Sequence, residues 1–283
     1  AGLTTGSIYA LIALGFVTIY NVTGIINFAQ GEFAMLGPMV LISLGPLGLP
    51  LPLGVAVAVA AVTLTGGVVE RLTIHPARAR RASPVTLIII TIGVDIAVRG
   101  IALLIWGTDP FPLPPFTAGP PLRVAGAIIT RQGVWILGTT ALILAFLYVF
   151  FEHTYPGKTL RACAINPLSA RLSGIRPDRM SLLAFALSGG LGSVAGIVIA
   201  PLTLVSYDMG LYLGLRGFVA AIMGGLVNPA GAVAGALLLA VLENLAGGIF
   251  RAAYKETVAF VVLFLILFFR PHGIFGRGAR GGL

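Results

Sequence analysis

The stretch "GIINFAQGEFAMLG", residues 24–37, sets Asn27, Gln30 and Glu32 among apolar neighbours. Side chains of these types can meet the polar end of a passing solute, or they can satisfy backbone groups freed where a helix is interrupted. Glu32 carries the sharpest signal, because an ionisable group inside an apolar segment is a functional candidate by default; the plainer alternative is a carboxylate capping a helix N-terminus, where the dipole favours it. Asp95 and Arg99 stand i, i+4 near the middle of another apolar run, so they share a helix face and are expected to form a structural ion pair; a proton relay is the alternative. Glu243 and Asn244, near a helix end, suit an interfacial or intersubunit contact, with a substrate contact as the alternative, and Asn228 belongs to the helix-breaking run "LVNPAG".

Other chemistries find no residues. His75, His153 and His272 have no second ligand at metal spacing, so no metal site and no catalytic residue is expected. The sequence contains no GxxxxGK[ST], so the chain cannot hold ATP through a phosphate-binding loop of that type, and no cofactor is expected on it. The single cysteine, Cys163, excludes an intrachain disulfide.

Elements long enough to bury such groups must position them. Of the residues, 58% are hydrophobic and 10% charged, with a mean hydropathy of +1.03, whereas ordinary globular domains are roughly 25% charged. Apolar windows run at about 3–20, 33–47, 51–69, 84–106, 133–151, 181–205, 217–248 and 257–269. The expected fold is therefore an all-α integral membrane protein, one polytopic helical bundle over residues 1–283 with about eight transmembrane segments, some broken or re-entrant. The sequence opens in an apolar pattern with neither an initiator Met nor a basic leader; a short preceding extension is expected, and a cleaved signal is not.

The net charge of +9 would suggest nucleic acid in a soluble protein, but its distribution speaks against that. Twelve of the eighteen basic residues fall in 70–83, 152–180 and 270–283, which the positive-inside rule places in the cytoplasm. The Pro-rich stretch 107–124 is then outside. For the tail to end inside, "RAAYKE" (251–256) must be outside, so 217–248 either crosses twice or dips and returns. Pro229, which lacks an amide hydrogen, supplies the break in 226–231, and 21–32 is a similar break in the first half. Paired interruptions at membrane depth point to a transport pathway between structural repeats, with Asn27, Gln30, Glu32 and Asn228 as its candidate residues.

The loop 152–180 is longer than topology alone requires. Within it "NPLSARLSGI" (166–175) reads as a short amphipathic helix: Asn166 caps it, Leu168, Leu172 and Ile175 share a face, and Gly174 ends it. Such a helix is a handle for a soluble partner; the plainer alternative is a solvated loop.

Four blocks, 6–37 ("GSIYALIALGFVTIYNVTGIINFAQGEFAMLG"), 159–175 ("TLRACAINPLSARLSGI"), 215–244 and 269–276 ("FRPHGIFG"), resemble the permease subunits of branched-chain amino acid ABC importers, LivH type, in the expected order over almost the whole chain. The resemblance implies a multi-pass subunit of the bacterial inner membrane, in contact with membrane lipid. Its implied partners are a second permease of LivM type, two cytoplasmic ATPases that carry ATP and Mg, and an extracytoplasmic substrate-binding protein. It further implies that 159–175 is the segment coupled to an ATPase, through Arg161, Asn166, Leu168, Ala170, Leu172, Gly174 and Ile175. Ala170 and Gly174 keep two positions of the wider EAAxxxG pattern, whereas Leu168 replaces its glutamate. A permease for urea, short amides or another small polar solute is the alternative within this superfamily; an ion-coupled secondary transporter and a membrane scaffold are the alternatives outside it.

Overall fold

The computed structural model describes residues 2–124, 127–249, 255–270 and 273–276. Twelve α-helices form its framework: α1 (Gly2–Thr23), α2 (Gln30–Leu44), α3 (Leu51–Val69), α4 (His75–Ala79), α5 (Pro84–Trp106), α6 (Arg131–His153), α7 (Tyr155–Ile165), α8 (Pro167–Leu172), α9 (Pro177–Ile199), α10 (Met209–Gly224), α11 (Pro229–Ile249) and α12 (Lys255–Phe269). The loop between α5 and α6 adds one hairpin, β1 (Leu122–Val124) with β2 (Ala127–Ile129). Among the described residues, six helical stretches are long and apolar enough to cross a membrane, and the chain is a multi-pass, all-α membrane protein.

Helix starts follow local chemistry. Proline, already fixed near helical φ and with no N–H to satisfy, opens α5, α8, α9 and α11. Side chains of Ser83, Thr130, Thr154 and Asn166 cap α5, α6, α7 and α8 by accepting from first-turn amides. α3 runs through a π-helical turn (Glu70–Ile74) into α4. α1 is apolar on every side and buried without a break from Gly6 to Ile19, which makes it the axis of the bundle.

Around that axis the chain repeats itself. A long helix, an interruption, a short helix and another long helix occur as α1, α2, α3 and again as α9, α10, α11; the short members have 15 and 16 residues. Packing is reciprocal: α3 lies on α9 as α11 lies on α1, and α2 lies on α9 as α10 lies on α1. α1 and α9 run antiparallel, since Val22 packs with Ala184 and Leu14 with Leu191. The halves are thus inverted repeats, an architecture that places the pathway at their interface.

The short helices meet N-terminus to N-terminus. A Cβ on Gly31 would strike the Gly210 carbonyl oxygen, and one on Gly210 would lie 2.9 Å from both the Gly31 carbonyl and Glu32 Oε2. Only glycine lets these backbones touch.

Three expectations shift. The window 217–248 resolves into α10, which begins at residue 209, and antiparallel α11; Gly225 (φ +101°) and Asn228 turn the chain between them. The interruption that mirrors 24–29 is consequently 200–208, before α10, and not 226–231. Residues 155–165, read as loop, form the amphipathic helix α7. Residues 251–254, within the stretch placed outside, His272 and the tail beyond residue 276 lie outside the described residues.

Candidate functional site

The site grows from the first interruption. α1 stops at Thr23, Gly24 adopts φ +70°, and the chain turns back into the bundle. Thr91 of α5 pins the turn: its hydroxyl accepts from the Phe28 amide at 3.2 Å and shares its hydrogen between the Ile88 carbonyl (2.8 Å) and the Ile26 carbonyl (3.2 Å). Asn27 Oδ1 accepts from the Ala29 amide (3.3 Å) and its carbonyl accepts from the Gln30 amide (3.2 Å), so Asn27 organises the entry into α2. Gln30 donates to the Ser188 carbonyl on α9 (3.2 Å) and accepts from the Ser188 hydroxyl, which ties α2 to the opposite repeat.

Glu32 faces Arg99. Arg99 Nη2 donates to Glu32 Oε1 at 3.1 Å and to Asp95 Oδ2 at 2.7 Å, so the expected Asp95–Arg99 ion pair forms and a second carboxylate joins it. Two carboxylates share one guanidinium. Asn27, Gln30 and Glu32 are fully buried, and among the described residues Asn27 Nδ2 and Glu32 Oε2 have no hydrogen-bond partner. Buried polar atoms without partners are costly to fold and are retained chiefly where a ligand or a moving element can use them.

Beside this triad lies a cavity of about 210 Å³. Phe16 of α1, Phe28 of the interruption, Ile92 and Asp95 of α5, and Gly210, Leu211, Gly214, Leu215 and Phe218 of α10 line it. Phe218 packs against Phe28 and Phe16 at ring-centroid distances of 5.3 and 5.7 Å. Among the described residues, Asp95 is the one charged residue in the lining. The first turn of α10 forms part of the wall, and neither α10 nor α2 carries a side-chain cap. An apolar, aromatic chamber with a carboxylate in its wall and the first turn of a helix beside it is suited to a small molecule that is apolar at one end and charged at the other.

Asn228 is not brought to this site. It follows the far end of α10, about 22 Å from Gly210 along the helix, where its Oδ1 caps α11 at Gly231 (3.1 Å) and its Nδ2 donates to the Phe275 carbonyl (3.2 Å). The short C-terminal run folds against the same turn, Ile274 donating to the Met223 carbonyl at 2.8 Å.

Away from the cavity, α7 and α8 form an elbow. Asn166 accepts from the Leu168 and Ser169 amides, both at 3.0 Å; Ala170 is buried against the elbow, and Leu168 and Leu172 project outward, 68% and 82% exposed. Gly174 closes α8 with φ +81°, Ile175 is partly buried, and Arg161 on α7 pairs with Glu152. Cys163 sits inside the elbow, where burial pushes its thiol pKa up. Leu168 and Leu172 thus leave an exposed apolar pair on a capped, well-anchored helix.

Over residues 1–267 the sequence matches the family described as branched-chain amino acid transport system / permease component. The chain belongs to this permease family. The permease is 32% identical to the high-affinity branched-chain amino acid transport system permease protein LivH of Salmonella typhimurium, with 98% of this chain and 94% of the relative covered. It is likewise 32% identical to the corresponding protein BraD of Pseudomonas aeruginosa at the same coverage. A more distant relative, a probable branched-chain amino acid transport permease protein LivH of Methanocaldococcus jannaschii, shares 28% identity over 95% of this chain and 89% of its own length.

Sequence reasoning missed the α10 wall of the permease cavity, because 181–205 reads as one span that runs past the break. Pro201 and the polar pair Ser206 and Asp208 were the available signal; the Ser206 hydroxyl donates to Asp208 Oδ1 at 2.5 Å as the chain turns into α10. Glu243 also differs from expectation. It is buried inside the permease, accepting from Tyr9 Oη at 2.8 Å and paired with Arg216 at 3.7 Å.

Proposed function

We propose that the permease is one transmembrane half of an ATP-driven importer for branched-chain, hydrophobic amino acids. The cavity carries this reading: its aromatic and aliphatic walls fit the side chain of such a solute. Asp95 offers an acceptor to the ammonium group, and the first turn of α10, in the cavity wall, turns the positive end of its dipole toward the carboxylate. Urea and short amides have no apolar side chain to match those walls, which makes them the weaker candidates. Glu32 acts through Arg99, holding Asp95 in place; Asn27 and Gln30 shape and anchor the half-helix that meets α10. Asn228 contributes at the cytoplasmic turn.

In the same reading the whole chain is one permease domain of a bacterial inner membrane. It pairs with a second permease of LivM type and receives solute from an extracytoplasmic binding protein. α8, with Arg161, Asn166, Leu168, Ala170, Leu172, Gly174 and Ile175 as its docking and supporting residues, engages one of two cytoplasmic ATPases that hold ATP and Mg. Nucleotide binding draws the ATPases together, α8 moves, and the two repeats rock about the Gly31–Gly210 contact. Reconstitution with the companion subunits and labelled leucine or urea tests this. ATP-dependent leucine uptake supports it; uptake that persists without the ATPases and collapses with the proton gradient, or transport of urea in preference to leucine, overturns it.

A further inference from the structure

A second cavity, of about 360 Å³, opens at the cytoplasmic ends of α3 and α9. Arg71 and His75 from the π-turn and α4, Arg171 from α8, Arg176 from the linker and Arg179 from the first turn of α9 surround it, with Asp178 the one carboxylate in the lining. None of the four guanidiniums forms an ion pair with a described residue. α9 starts there without a side-chain cap, so its backbone amides and dipole add to the positive field.

All four arginines are exposed, and four like charges around one opening make a local positive field that favours an anion there. The surroundings indicate which anion. Leu64, Val68 and Leu72 form an exposed apolar stripe at i, i+4, i+8 that ends beside Arg71, and Leu182 of α9 reaches over Gly67 at the same level. An acyl chain can follow this stripe while its headgroup enters the pocket, whereas an acidic protein surface would have no use for it.

We propose that this pocket binds a phosphate group carried by an anionic phospholipid of the cytoplasmic leaflet, bridging α8 to the α3–α9 pair. The site lies apart from the solute cavity and does not depend on which solute is carried. It makes the position of α8 sensitive to lipid composition.

The test is native mass spectrometry of the full chain extracted from bilayers that contain equal phosphatidylglycerol and phosphatidylcholine. The native chain retains phosphatidylglycerol, and the R71Q/R179Q variant binds it roughly 25-fold more weakly, about fivefold for each basic residue lost. Each single variant shows its fivefold loss, so the reading stands if the double variant does not fold. R80Q/R81Q removes the same charge from exposed positions outside the pocket and keeps the lipid. Undiminished lipid in the pocket variants, or equal loss in R80Q/R81Q, overturns the proposal. So does displacement of the lipid by inorganic phosphate or deacylated glycerophosphoglycerol at concentrations equal to that of the lipid, which would mark a soluble-phosphate site, or loss of lipid when ATPase subunits are added, which would give the pocket to a protein.

Discussion

Replacing Arg99 with glutamine is expected to cost far more stability than replacing Glu32, although the two touch. Arg99 stands 3.1 Å from Glu32 and 2.7 Å from Asp95, so at an effective dielectric of about 20 each contact contributes roughly 5–6 kcal/mol of Coulomb attraction. Much of that attraction offsets the desolvation of groups that are buried or nearly so. Removing the guanidinium leaves two carboxylates without their cation, at a cost of about 3–5 kcal/mol. Glu32→Gln instead leaves the Arg99–Asp95 pair and removes the surplus negative charge, so its cost stays within about 1 kcal/mol. SDS titration in mixed micelles, followed by far-UV circular dichroism, measures both. The double variant R99Q/E32Q is expected to regain about 2 kcal/mol over R99Q, since neighbours that share a partner do not behave additively. An R99Q variant within about 1 kcal/mol of the native chain, or an E32Q variant less stable than R99Q, would refute the shared-cation account. Transport supplies a separate readout: E32Q should lower uptake more than expression, and an unimpaired rate would leave Glu32 with a structural role alone.

Gly31→Val should destabilise the chain by about 1–3 kcal/mol and abolish transport, because any side chain meets the Gly210 carbonyl; the same SDS titration and an uptake assay check this. Gly174→Val should cost about 1–2 kcal/mol locally at φ +81°, leaving assembly intact while ATP hydrolysis proceeds without uptake. Asn166→Ala removes the cap of α8, worth about 1 kcal/mol, and should show a milder version of the same uncoupling. Cys163, 1% exposed with its thiol pKa raised, should react with a water-soluble maleimide at least roughly tenfold more slowly than a cysteine placed at exposed Ser169; equal rates would contradict the packed elbow.

Much of this architecture is local in origin and therefore readable. Asn166, Pro167 and Gly174 specify the start and end of α8 whatever surrounds them, and the polar run from Asn27 to Glu32 marks its interruption because lipid cannot solvate it. Asp95 and Arg99 announce their pair by spacing alone. What depended on contacts between distant segments was not readable. Glu32 joins Arg99 across 67 residues of sequence, and nothing near either residue indicates that three charges share one site. The inverted repeat is similarly hidden: α2 and α10 correspond in length and placement, but "QGEF" and "MGLY" share only their glycine, the one residue that the helix contact requires. The interruption before α10 lies in "APLTLVSYD", apolar enough to pass as the end of a span.

In the proposed cycle the cavity between α5 and α10 opens alternately to the two sides of the membrane. Cysteine introduced at Leu215, on the cavity wall, in a Cys163→Ser background, tests it most directly in the assembled transporter by labelling with a membrane-impermeant maleimide added from either side. ATP binding should raise labelling from one side and lower it from the other by comparable factors. Labelling that is independent of nucleotide on both sides, or that rises and falls together, would contradict it.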